Sequence, residues 1–549
     1  MSEIRDADLL PEVTGDNATR GGQRERSILS TSMTPALGTA LSRLTGLLRV
    51  VALAWVLGQG IVSDAYNLAN TAPNLLFELV LGGVLSSTLV PLFVTSKADD
   101  DQRNADERAS VVMSLGLLAL VALCVVALLT APLFLDIFSA DSGGHSAARE
   151  AIASPLLRLL LPQILFYGVT SIGTAILHAR RQYAVAAFAP VLTNLVTIAA
   201  FLAVGALTTY SELSGTLAIY LLGLGTTAGV AAMAACVVWG VRNCGIELTW
   251  TPNWRHPVVR EIARLSGWTV GYVASNQIAL LVILSLATNI SDGALSAYGM
   301  AFIFFQLPHG LLAVSVMTST TPELSSAAAH DDLDRLRSRF REGFSLVVTL
   351  VAPAALAMAI VARAFIEVFL QRGHFDAIDT ERTAAVLITL AIGLPFFSAY
   401  LFTLRIFYAR KDTRTPFFLN LAENAINIAL AFTFFEFGLG VGGLGLAYSL
   451  AYLSALVGSL VVAQRRIGGI IDRRLLRMFV NAGLSAVGTG LPMAIVISFV
   501  RNVVDVDSPL LELVLAVPLG LMGLLATITV FDIEGFESVS ARLRPRARR

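Results

Sequence analysis

Two arginines inside one long apolar stretch pose the first chemical question. Arg43 and Arg49 stand in the run Ser42-Arg43-Leu44-Thr45-Gly46-Leu47-Leu48-Arg49. A cationic side chain held within hydrocarbon costs about 2.5–3.5 kcal/mol on insertion scales, so it is kept where an acceptor meets it. Glu78 lies in the next apolar stretch at a similar depth, and an Arg43–Glu78 ion pair would make either charge tolerable. Arg49 is six residues beyond Arg43, roughly 120° around an ideal helix. The two arginines therefore share a cavity only if it is wide or if Gly46 distorts the helix. Asp64, at the start of the second stretch, could pair with Arg49 or cap its own helix; the cap is the favoured reading.

Further along, Gln306 and His309 flank Pro308 and, three residues apart, share a helix face. A neutral, hydrogen-bonded histidine within a helix bundle is the simplest role for His309. Glu423, Asn424 and Asn427 could hold a cation through carboxylate and amide oxygens, although helix–helix hydrogen bonding is the commoner use of such residues. Arg158, Arg363 and Arg405 lie near the ends of apolar stretches, where long cationic side chains reach back to the interface. Cys124, Cys236 and Cys244 are too scattered for a disulfide framework or a metal set. The chain carries no phosphate-binding glycine loop, no catalytic triad order and no metal-ligand cluster. A protein without an enzyme active site is expected.

The elements that must position these residues are membrane-spanning helices. The 549 residues are 55% hydrophobic and only 14% charged, against about 25% charged in soluble domains. The deficit comes from fourteen apolar stretches, each of roughly the 20 residues a helix needs to cross hydrocarbon. The predicted fold class is thus an all-α integral membrane protein with about 14 transmembrane helices. Residues 1–27 are polar and read as a flexible tail. Most of the 39 Lys and Arg residues fall in loops on the side of the N-terminus, and only Arg149, Arg372, Arg382 and Arg501 fall in loops on the other. The positive-inside rule then places both termini in the cytoplasm of a bacterial inner-membrane protein. Zero net charge gives no argument for nucleic acid, and the basic tail, 532–549, is expected to lie against anionic headgroups.

The sequence also repeats itself. Residues 177–201 align without gaps to 407–431 at an offset of 230, matching Arg180 to Arg410 and Asn194 to Asn424. Pro91 and Pro322, and Glu150 and Glu381, correspond at an offset of 231. Six helices per repeat give parallel halves related by an axis along the membrane normal, an arrangement typical of alternating-access transporters. The last two helices fall outside both halves.

At several of these positions the chain resembles a known family. The run Ser42-Arg43-x-x-Gly46-x-x-Arg49 is similar to the first-helix signature of the MurJ/MviN flippases for lipid-linked peptidoglycan precursors, within the MOP exporter superfamily. So are Ser63-Asp64-Ala65-Tyr66, Pro73-Asn74-Leu75-Leu76, Gly83-Val84-Leu85-Ser86 leading to Val90-Pro91, and Phe188-Ala189-Pro190-Val191-Leu192. Gln306-Leu307-Pro308 and Tyr408-Ala409-Arg410-Lys411-Asp412 continue the match, which covers residues 28–530.

The resemblance implies two six-helix lobes around a central cavity lined by helices 1, 2, 7 and 8. Here these would be an N-lobe at 28–241, a cytoplasmic linker at 242–265 and a C-lobe at 266–464. It also implies that the two C-terminal helices, within 465–531, form a groove for a long lipid tail. The implied substrate is lipid II, an undecaprenyl-pyrophosphate-linked precursor, handled among membrane lipids and beside cell-wall synthesis or division proteins. Arg43 and Arg49 are the implied contacts to its pyrophosphate, which a guanidinium can grip bidentately, and Asp64 matches a polar position of that region. With Glu78, Gln306 and His309 they form the candidate substrate-binding set. No cofactor or metal is expected; a monovalent cation or the membrane potential would drive the cycle. The chain departs from many members at Phe77 and Ile303, where they carry two more cavity arginines. A flippase for another polyprenyl-linked saccharide, or a cation-coupled small-molecule exporter of the related drug-efflux architecture, are the alternative readings.

Overall fold

A computed structural model of the chain describes residues 17–79, 99–139, 146–180, 182–244, 249–503 and 508–531. Among them no β-strand occurs. The first lobe contains α1 (Asn17–Leu57), α2 (Ile61–Phe77), α3 (Asp99–Leu129), α4 (Ala131–Ser139), α5 (Ser146–Leu160), α6 (Gln163–Ala179), α7 (Tyr183–Leu207) and α8 (Thr216–Asn243). The second contains α9 (Pro257–Ile290), α10 (Ala294–Pro308), α11 (Val314–Ala329), α12 (Leu333–Leu370), α13 (Ala377–Ala409), α14 (Arg414–Glu436) and α15 (Gly440–Ile467). A π-helical turn, His309–Ala313, joins α10 to α11. The hairpin α16 (Arg473–Asn502) and α17 (Pro509–Phe531) packs on α12.

Thirteen helical segments among the described residues are long and apolar enough to cross a membrane. The stretch expected at 62–94 is described only as far as residue 79. Helix α1 begins at Asn17, inside the segment read as a flexible tail, of which residues 1–16 lie outside the described residues. The linker expected at 242–265 is shorter than its composition suggested, because α8 runs to Asn243 and Pro257 opens α9. The basic tail and the motif from Gly83 to Pro91 also lie outside the described residues.

Local signals set the helix starts. Asp332, Asp376 and Asp472 cap α12, α13 and α16 by accepting from backbone N–H groups of the first turn, which otherwise lack partners. Arg337 donates to the carbonyls of Ile467 (2.7 Å) and Gly468 (3.0 Å), and Arg341 pairs with Asp472 at 2.7 Å. These contacts tie the start of α12 to the turn that launches the final hairpin. At its far end the hairpin is closed by Arg501, which grips Glu512 through Nε and Nη2.

In that pair Glu512 is 1% exposed while the Arg501 side chain is 41% exposed. Removing the arginine strands a buried carboxylate, at a cost on the order of 3–5 kcal/mol, whereas removing the glutamate leaves a cation that reaches water. Arg501→Ala is therefore expected to lower the melting temperature of the purified protein clearly more than Glu512→Ala does. Equal melting of the two variants would show that the buried carboxylate is not what the pair protects.

Candidate functional site

The two lobes meet through a carboxylate. Asp64, in the first turn of α2, is fully buried and accepts from three donors at the start of α10: Gly293 N (2.7 Å), Ser296 N (2.9 Å) and Ser296 Oγ (2.6 Å). The residue at the N-cap of α10 is Gly293, in the left-handed region with φ +82°, and it offers no side-chain acceptor. The first N–H groups of α10 would be orphans in a medium without water. Asp64 supplies the missing cap from the other lobe, and the positive end of the α10 dipole in turn favours the carboxylate. Ser63 Oγ and Asn67 Nδ2 donate to Ser296 Oγ at 2.7 Å and 3.0 Å and complete the cluster.

Other bonds between the lobes gather at the same face. Gln59 donates from its backbone to Asp379 (3.1 Å) and from its amide to Thr383 Oγ1 (2.5 Å). His374 N donates to Trp55 O at 3.1 Å, and Arg149 pairs with Asp292 at 3.0 Å while Arg382 donates to the Asp292 carbonyl at 2.9 Å. Helix ends and loops of both lobes are thereby locked into one closed face.

Below that face α2 and α10 carry matched stripes. Asp64, Asn67, Thr71, Asn74 and Glu78 follow each other at spacings of three and four, and so do Ser296, Gly299, Ile303, Gln306 and Gly310. That spacing keeps each set on one helix face. The stripes share their first contact, at Asp64 and Ser296, and then part: Gly299, Ile303, Gln306 and Asn74 are exposed, and a Cβ on Gly299 would meet nothing within 4 Å. Arg43 bounds this space from α1. Its side chain is exposed and its guanidinium lies on the π-turn, where a Cβ on Gly310 would stand 2.6 Å from Arg43 Nη1. At 1.5 Å per residue, Arg43, Glu78 and Gly310 all lie roughly 20–26 Å below the closed face.

The structure rearranges several sequence expectations. Arg43 and Glu78 share a depth but no ion pair: Arg43 is turned toward Gly310, and half-buried Glu78 sits where α2 leaves α-geometry for π-geometry. Asp64 neither pairs with Arg49 nor caps its own helix, whose N-cap is Gly60 without a side-chain bond; it caps α10. Arg49 is half-buried and near enough to Tyr66 and Tyr167 of the first lobe for its charge to act on their phenols, whereas Arg43 reaches Gly310 of the second. Phe77 is buried against Tyr167, ring centroids 6.0 Å apart, whereas Ile303 lies on the exposed stripe of α10. His309 is hydrogen-bonded through Nδ1 to Ser398 Oγ (2.9 Å) and packs on Phe397, while Gln306 is exposed on the stripe. Arg363 makes an exposed ion pair with Glu381 at 2.8 Å.

Sequence reasoning missed Asn67, Thr71 and Ser296, which carry no charge to draw attention; their three-and-four spacing from Asp64 and to Gly310 was the available signal. In the second lobe Glu423, Asn424 and Asn427 are buried, and Asn420, also missed, joins them on the same face of α14. Asn424 donates to Asn276 Oδ1 (2.8 Å) and Asn420 to Ser275 Oγ (2.7 Å). Glu423 Oε2, Asn420 Oδ1 and Asn427 Oδ1 are buried acceptors without a donor among the described residues. Among the described residues no group of three or more His, Cys, Asp or Glu could hold a metal ion.

A helical, multi-span membrane protein whose two lobes are latched at one face and separate below it belongs to the transporter class. The sequence model described as "Lipid II flippase MurJ" matches residues 53–515. The chain belongs to the MurJ family. Among its relatives are a probable lipid II flippase MurJ of Rhizobium meliloti (strain 1021), 27% identical over 76% of this chain and 77% of that protein, and one of Thermotoga maritima, 28% identical over 77% and 82%. In fold the chain is similar to a solved lipid II flippase MurJ in an inward closed conformation (TM-score 0.74, 23% identity, 92% of this chain and 99% of that one). It is also similar to an inward-facing MATE-family multidrug resistance transporter of the MOP superfamily (TM-score 0.63, 16% identity, 79% and 99%).

The latch carries a prediction. Asp64→Ala removes one charged acceptor from three donors, and bonds to a charged group contribute about 1.5–3 kcal/mol each. The closed face should lose at least about tenfold in population. With Cys124, Cys236 and Cys244 replaced and a single cysteine at Thr71, an impermeant thiol reagent added at the closed face should label the Asp64→Ala protein far faster than its parent. Unchanged labelling would remove the latch from the mechanism.

Proposed function

We propose that this chain carries lipid II from the inner to the outer leaflet of the bacterial cytoplasmic membrane by alternating access. The observation that carries the reading is an exposed guanidinium, Arg43, held at depth against Gly310 beneath a closed face. Membership of the MurJ family supplies the substrate class. A pyrophosphate offers paired anionic oxygens that one guanidinium grips bidentately, and in a site screened from bulk water that contact strengthens.

The positive-inside distribution puts the closed face on the outer side. The space below it then opens toward the cytoplasm, where the precursor is made. The head group enters between the lobes and its phosphates take Arg43 away from the π-turn. Asn67, Thr71, Asn74 and Gln306 present neutral donors and acceptors to the saccharide and peptide. The polyprenyl chain stays in hydrocarbon along the apolar faces of α16 and α17. Outward opening requires Asp64 to release α10, so substrate binding must offset that loss. The orphan acceptors of Glu423, Asn420 and Asn427 suit a monovalent cation in the second lobe, which would bias the movement of α9 against α14.

Depletion of the protein in its host should reduce lipid II accessible at the outer leaflet, and unchanged surface lipid II would reject the reading. Arg43→Ala should fail to support growth in the depleted strain. Arg363→Ala should support it, because an exposed ion pair of this kind contributes about 0–1 kcal/mol. Indistinguishable growth of the two variants would dissolve the assignment of Arg43.

A further inference from the structure

A second hollow lies within the first lobe, away from the space between the lobes. It is bounded by α3, α6 and α8 and holds about 320 Å³. Leu117 and Leu120 of α3, Val169 and Ile176 of α6, and Val238 of α8 make its walls, and Arg242 at the end of α8 is its charged lining residue. Arg242 is exposed and makes no hydrogen bond or ion pair among the described residues. A cation in that place has an ordinary explanation, since basic residues favour helix C-termini. The surroundings ask for more.

Three tryptophans stand near the same end of the lobe: Trp239 on α8, and Trp250 and Trp254 in the segment leading to α9, 62%, 57% and 64% exposed. Indoles exposed beside membrane-spanning helices settle at the headgroup level. That segment is fixed to the rim of the hollow. Thr249 N donates to Ser110 Oγ at 3.1 Å and Thr251 N to Ser114 Oγ at 2.9 Å, and these serines precede the lining residue Leu117 on α3. An apolar hollow, an unpaired guanidinium at its mouth and indoles at headgroup level match the parts of one ligand class. Basic pockets between helices on the cytoplasmic side take anionic lipid head groups.

We propose that this hollow binds an anionic phospholipid, one acyl chain lying between α3, α6 and α8 and its phosphate pairing with Arg242. The tail passes from one apolar surrounding to another, so the walls hold it by fit and packing and Arg242 selects the head group. Because residues 249–251 hang on α3 at the rim and belong to the segment that connects the lobes, the occupied hollow steadies the joint about which they move. The site stands independently of the flippase reading.

Native mass spectrometry of the purified full chain with phosphatidylglycerol or phosphatidylcholine tests this. The wild type should retain phosphatidylglycerol in preference. Arg242→Gln should lose about tenfold in retention, the equivalent of 1.4 kcal/mol, and Arg242→Lys should recover part of it. Val169→Trp, which fills the hollow and leaves the charge, should lose retention as well. Equal retention of both lipids by the wild type overturns the proposal. So does wild-type retention in both Arg242→Gln and Val169→Trp. Displacement of phosphatidylglycerol by equimolar undecaprenyl phosphate would overturn the assigned occupant. Should Arg242→Gln fail to fold, Val169→Trp decides the matter.

Discussion

A helix start without a cap and a carboxylate without a cation would each be untenable inside a membrane protein, and here each resolves the other. Gly293 N and Ser296 N are buried away from water, and the N-cap residue Gly293 has no side chain to accept from the first turn. Asp64 is fully buried and forms no ion pair among the described residues. Placed together they satisfy three donors and one charge with a single residue. The stability of the closed face thus rests on a cap shared between lobes, and a shared cap is lost whole when the lobes part. A bond made within either lobe would persist through the movement and could not distinguish one state from the other.

The rest of the site follows from having the lobes joined at one end. Two straight helices that touch at Asp64 and Ser296 diverge below, so the residues one, two and three turns down each stripe come to line a widening space. Those of α2 are polar and those of α10 are small or apolar apart from Gln306, which gives the space one hydrogen-bonding wall and one smooth wall. Arg43 enters at the depth where both stripes end. Gly310 leaves room for it, because a Cβ there would stand 2.6 Å from Arg43 Nη1 and the guanidinium would have to shift. Arg43 forms no ion pair among the described residues, so an anion arriving in the space has no such pair to break.

Much of this was legible in the sequence, in proportion to how local its cause is. The apolar stretches require only that twenty or so residues be read together, and thirteen helical segments among the described residues are long and apolar enough to cross a membrane. The depth of Arg43, Glu78 and His309 was equally accessible, because rise per residue is fixed. Partners were not. The depth shared by Arg43 and Glu78 suggested an ion pair, yet depth says nothing of azimuth, and α1 turns its arginine toward the other lobe. Asp64 was read as a cap, which it is, but of a helix more than two hundred residues away. The sign of that was the uncapped start of α10, and a search confined to each helix's own first turn could not connect the two. Arg49 carries the same charge as Arg43 but is half-buried near Tyr66 and Tyr167, a distinction that tertiary packing makes.

The internal repeat links these observations. Glu78 and His309 are separated by 231 residues, the offset already seen between Glu150 and Glu381. At both positions the backbone abandons α-geometry: π-geometry takes over at Glu78 and Leu79 in α2 and over His309–Ala313 after α10. A π-turn gives up the regular i→i−4 ladder for one turn, so each lobe's second helix is weakened at one corresponding place. That place is the level of Arg43, below the latch. The segments above it are fixed to one another through Asp64 and Ser296. Two matched breaks thus stand at the offset of the sequence repeat, and Arg43 lies against the second of them.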